Sequence, residues 1–176
     1  MALTKWAIDP AHSEIGFKIK HMMFTNISGR FEKYDSNITT EDDDFTKASI
    51  EFSADINSIN TNNADRDTHL KSADFFDVDK YPKLNFRATS FSKTSDESYE
   101  LAGDLTMRGV TKSVSLPAEF SGLMKDPWGN TKVGINISGK INRKDWGLTW
   151  NGALETGGLL VGEDVSLHIE LQLLKQ

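Results

Sequence analysis

Val133-Gly134-Ile135-Asn136-Ile137-Ser138-Gly139-Lys140-Ile141 alternates bulky apolar residues with polar or small ones, and a period of two places one set on one face of a β-strand. The pattern recurs in both directions along the 176-residue chain. Downstream, Val165, Leu167, Ile169, Leu171 and Leu173 share a parity. Upstream, so do Val114, Leu116, Ala118 and Phe120, then Tyr99, Leu101, Gly103, Leu105 and Met107, then Ala48, Ile50, Phe52, Ala54 and Ile56. Near the N-terminus, Ile15, Phe17, Ile19 and Met23 alternate with Glu14, Lys18, Lys20 and Met22. Less regular strand candidates cover residues 31–38, 84–91 and 146–150.

Turn chemistry separates these runs. Asp9-Pro10, residues 26–29, Asp42-Asp43-Asp44, Ser95-Asp96-Glu97, Arg108-Gly109, residues 126–130 and Gly157-Gly158 carry the Gly, Pro, Asn and Asp that tight turns use. About eight or nine strands with short loops predict an all-β fold, an antiparallel barrel or sandwich. Over residues 60–73 the alternation stops. Thr61-Asn62-Asn63-Ala64-Asp65-Arg66-Asp67-Thr68-His69-Leu70-Lys71 suits one short helix, with Thr61 or Asn62 as N-cap and a basic last turn.

Composition narrows the class. Hydrophobic residues are 38% and charged residues 26%, enough for a core and unlike a disordered or helical membrane chain. The length predicts one domain over 1–176. The net charge of −6 repels phosphate backbones and anionic lipid headgroups, so nucleic acid is not an expected partner. Zero cysteines remove disulfides, thiolate nucleophiles and Cys-ligated zinc together. No run is long and apolar enough to insert stably in a bilayer, and Met1-Ala2-Leu3-Thr4-Lys5-Trp6 has no apolar h-region, so a cytoplasmic location is expected. His12, His21 and His69 with Asp65 or Asp67 lack a local metal-ligand spacing, and no nucleophile elbow, Walker loop or Gly-x-Gly-x-x-Gly is present. Neither a metal nor a cofactor is expected.

Several segments, in this order and spacing, resemble the bacterial YceI-like family. They are Trp6-Ala7-Ile8-Asp9-Pro10-Ala11-His12-Ser13-Glu14, Arg66-Asp67-Thr68-His69-Leu70 continuing to Tyr81-Pro82, Gly103-Asp104-Leu105-Thr106-Met107-Arg108-Gly109, Asp126-Pro127-Trp128-Gly129, and Asn142-Arg143-Lys144-Asp145-Trp146-Gly147-Leu148. The resemblance implies a lipocalin-like antiparallel barrel that binds a long apolar molecule such as a polyisoprenoid, an isoprenoid quinone or a fatty-acid derivative. Many proteins that look like this are periplasmic. Relatives of this kind often pair, and an edge strand would allow a homodimer.

An isoprenoid tail offers only apolar surface, so a tube lined by alternate strand residues suits it. Phe17, Ile19, Phe31, Phe52, Phe86, Leu105, Met107, Ile135 and Ile137 are the candidate lining; a solid core would show the same residue types. His21 shares the inward parity, as a head-group contact or a structural histidine. Trp146 and Trp150 could stack on the tail or fill the core. Arg66, His69 and Lys71 form a short basic cluster for a polar head; alternatively Arg66 pairs with Asp67 or another carboxylate and pins the helix to the barrel. Asp9 and His12 are expected to build a turn around Pro10. The leading expectation is a non-enzymatic lipid carrier. The alternatives are an enzyme or accessory in isoprenoid metabolism using His21 or His69 as acid or base, and a stress-related barrel acting through a protein partner.

Overall fold

The computed structural model describes residues 2–152, 154 and 159–176, so the expected Gly157-Gly158 turn lies outside the described residues. The alternating segments form β1 (Leu3–Ile8), β2 (Glu14–His21), β3 (Thr25–Phe31), β4 (Tyr34–Glu41), β5 (Asp44–Asp55), β6 (Ile59–Asn60), β7 (Lys83–Lys93), β8 (Ser98–Met107), β9 (Val110–Lys125), β10 (Thr131–Asn142) and β11 (Val161–Lys175). The sole α-helix among the described residues is α1 (Ala64–Lys71).

All pairings are antiparallel. β1 pairs with both β4 and β11, so the ring β1-β4-β5-β7-β8-β9-β10-β11 closes into an eight-stranded barrel. β11 takes two partners along one edge: residues 173–175 face β1 and residues 161–170 face β2. β2, β3 and β6 therefore extend one side of the tube beyond the ring.

Parity decides what fills the tube. At the ring end Trp6, Ile38, Phe45, Phe91, Val133, Ile135 and Leu173 pack as one core. The Phe45, Phe91 and Tyr99 rings surround Phe120 at 5.1, 6.0 and 5.3 Å and plug that end. At the other end Phe31, Ile56, Phe75, Leu84, Met107, Trp146 and Leu148 form a second core.

Four local expectations are corrected. Residues 26–29 are strand rather than turn: Gly29 pairs with Phe17, whose ring occupies the place of a Cβ, which would lie 2.5 Å from Phe17 Cζ. The turn falls instead on Met22 and Met23, so Met23 does not share the strand parity. Residues 146–150 are not a strand, because Arg143–Trp146 forms a 3₁₀ turn that Gly147 ends at φ +79°. The N-cap of α1 is Asn63, whose side chain accepts the Arg66 N–H at 3.0 Å. Thr61 is occupied elsewhere, and Asn62 sits at φ +61°.

Candidate functional site

A cavity of about 650 Å³ borders both cores, within the ~300–1,000 Å³ usual for small-molecule sites. Inward strand residues make its wall: Phe17 and Ile19 from β2, Phe31 from β3, Phe52 from β5, Phe86 from β7, Leu105 and Met107 from β8, and Ile137 from β10. Trp150 joins them from the segment after the 3₁₀ turn. Exposed Lys20, Asn63 and Asp65, with half-buried His21, Ile27, Arg66 and Leu160, mark the mouth between the β2–β3 hairpin and α1.

Three expected residues lie off this wall. Ile135, two positions before Ile137 on the same face, pairs with Phe120 and belongs to the plugged end. Trp146 is buried and donates Nε1–H to the Leu105 carbonyl at 2.8 Å, which turns it into framework. Lys71 follows Arg66 by five residues and so points about 140° round the helix from it.

Arg66 and His69 do face the cavity, and each is held by hydrogen bonds to a neighbouring residue. Arg66 donates Nε–H to Thr61 Oγ1 at 2.8 Å and Nη2–H to the Thr61 carbonyl at 2.6 Å. Asp67 accepts from both the backbone N–H and the hydroxyl of Thr61. The partner of Arg66 is thus Thr61, not a carboxylate. His69 Nε2 shares a hydrogen bond of 2.9 Å with Asp74 Oδ2, and its ring stands edge-on to Trp150 at 4.6 Å and Phe75 at 5.1 Å. At the far end of the chain's first strand, Asp9 accepts from His12 Nδ1 at 2.8 Å and from the Ala11 N–H, building the turn. Among the described residues no group of three or more metal-ligating side chains converges.

A YceI-like domain model matches residues 6–173. The chain belongs to the YceI-like family. A UPF0312 protein of Staphylococcus aureus (strain MSSA476) is 38% identical over 167 residues, spanning 94% of this chain and 95% of that one. The Campylobacter jejuni YCEI protein is 33% identical, with a TM-score of 0.76 and 96% of each chain covered. A polyisoprenoid binding domain from Saccharophagus degradans superposes with a TM-score of 0.68 at 13% identity over 97% of this chain and 98% of that one, a likeness of fold.

This YceI-like chain also lines its cavity with a residue the sequence reading passed over. Arg143 is 3% exposed, and burial pushes its pKa below the ordinary arginine value, opposed by nearby Glu163. It donates to the carbonyls of Gly162 (2.7 Å), Leu148 (2.6 Å), Trp150 (2.9 Å) and Val161 (3.4 Å). One guanidinium thus ties the segment after the 3₁₀ turn to the start of β11. In sequence it lies inside the motif Asn142-Arg143-Lys144-Asp145-Trp146-Gly147-Leu148 beside Lys144 and Asp145, and nothing in that stretch sets it apart as a cavity residue.

Proposed function

We propose that this protein is a carrier that holds one long apolar lipid of the isoprenoid class in the barrel interior, without chemically altering it. The observation that carries the reading is the cavity itself: about 650 Å³ walled by Phe, Ile, Leu and Met, with polar side chains gathered at the mouth. Removing apolar ligand surface from water contributes about 25 cal/mol per Å², so a tail of this kind binds with no specific polar contact along its length. Membership of the YceI-like family and the shared fold of a polyisoprenoid binding domain support the same ligand class. Of the two histidines at the cavity, His21 lies at the mouth, and His69 is clamped by Asp74 and wedged between two rings, a position suited to shaping the wall.

Native mass spectrometry of protein purified from its own host tests this. The expected spectrum shows one isoprenoid-class lipid per chain, recovered unchanged by solvent extraction. A mixture of substrate and product would replace the carrier by an enzyme. A ligand-free protein that also fails to take up geranylgeraniol would remove the reading.

A further inference from the structure

Met22, Met23 and Phe24 form the tip of the β2–β3 hairpin, and their residue types are wrong for folding alone. Met22 and Met23 both hold left-handed backbone, at φ +53° and +69°, a turn that hairpins ordinarily assign to Asn and Gly. Their side chains face water: Met22 is 46%, Met23 59% and Phe24 86% exposed. Asn-Gly would make the same turn with less strain and no apolar surface.

The tip is continuous with the cavity mouth. His21, immediately before it, and Ile27, just after it, line the cavity. The Met22 N–H donates to the carbonyl of Leu160 at 2.8 Å, Leu160 lines the cavity as well, and neighbouring Leu159 is 40% exposed. Behind the tip, exposed Lys18 and Lys20 stand on the same hairpin limb.

We propose that this tip is a docking surface for a phospholipid bilayer, which it enters beside the mouth so that lipid passes between bilayer and cavity without crossing water. The proposal rests on the reading of the cavity as a lipid site. A long apolar ligand has its reservoir in a bilayer, and on the hairpin side this mouth is flanked by the apolar tip with Lys18 and Lys20 behind it, while Asn63 and Asp65 stand on the helix side. That order matches an interface, where rings and thioethers reach the acyl boundary while Lys heads stay at the phosphates. A second copy or a protein partner is a poorer fit, since a stable interface buries about 800 Å² on each side and a hairpin tip of three side chains is narrow and convex. The other exposed apolar hairpin, carrying Met124 and Trp128, joins β9 to β10 beside the plugged end and contributes nothing to the cavity wall, so it serves as the control.

Full-length protein is sedimented with sucrose-loaded phosphatidylcholine vesicles, and binding of cis-parinaric acid is titrated separately without vesicles. The wild type is expected to co-sediment. Phe24→Ser is expected to lower the partition coefficient about ten-fold or more, Phe24→Leu to restore most of it, and Trp128→Ser to leave it unchanged. Parinaric acid binding should be the same in all four proteins. Wild type that binds parinaric acid but does not co-sediment overturns the docking proposal, as does Phe24→Ser that sediments like wild type. Wild type that self-associates through the tip, losing this in Phe24→Ser without any vesicle binding, overturns it in favour of a second copy. Co-sedimentation that depends on Phe24 without parinaric acid binding upholds the docking surface and removes the lipid-cavity reading instead.

Discussion

Arg66 grips Thr61 from both sides of its peptide, with Nε on the hydroxyl and Nη2 on the carbonyl. Thr61 is itself buried and held by Asp67, so one residue before the helix is fixed by two within it. Arg66→Ala therefore acts on the helix first. It should cost about 1 to 2 kcal/mol and weaken anionic-headed and neutral isoprenoids to the same degree. Arg66→Lys should not restore stability, because an ammonium cannot make the fork. Melting temperatures and titrations with a prenyl pyrophosphate and the matching alcohol check this. A selective loss of the pyrophosphate would return Arg66 to the head-group site.

Trp146 connects the 3₁₀ turn to the barrel through its bond to the Leu105 carbonyl. Trp146→Phe keeps most of the apolar volume and removes that donor. We expect a loss of roughly 1 to 3 kcal/mol in chemical denaturation, with ligand affinity within about two-fold of wild type because the ring lies off the cavity wall. A larger affinity change would place Trp146 at the ligand.

Much of this architecture is legible from period-two alternation, since inward parity follows from strand geometry alone; Phe17, Phe52, Leu105 and Ile137 line the cavity as their parity requires. Parity does not report depth. Ile135 and Ile137 are equivalent in pattern, and only the tertiary position of Phe120 opposite Ile135 separates core from wall. Local signals mislead where a residue serves a distant partner. Gly29 reads as a turn because the ring that needs its bare Cα is twelve residues away in Phe17, and Met22-Met23 reads as strand because no turn propensity marks it. Arg143 is illegible for a similar reason: its acceptors are carbonyls, which leave no trace in residue type.

The Asp9 carboxylate supplies a pH dependence with a definite sign. The His12 side-chain hydrogen bond holds its pKa below the ordinary 3.8, aided by the Ala11 N–H and opposed by desolvation. A depressed value in the folded state means the ionised form stabilises: the contribution is complete above 3.8 and fades as pH falls through the folded value. Asp9→Asn should thus be less stable than wild type at neutral pH, with the gap closing in acid. Urea midpoints of both proteins, followed from neutral pH to below 3.8, check it. A gap that widens on acidification would contradict the assignment.

The boundary between plugged end and cavity can be located with one side chain at two positions. Ile135 and Ile137 are 4% and 7% exposed, point the same way from β10, and differ in whether space adjoins them. Ile135→Trp forces a larger ring against Phe120 and its aromatic neighbours, and overpacking of this kind costs roughly 1 to 3 kcal/mol. Ile137→Trp extends into the cavity, so its cost should stay under about 1 kcal/mol. The binding consequences run the other way. The ring at 137 occupies volume that a lipid tail needs and should weaken parinaric acid about ten-fold, a loss near 1.4 kcal/mol, while the ring at 135 leaves affinity nearly unchanged. Equal destabilisation by the two substitutions would mean that the interior beside Ile137 is filled by its own side chains.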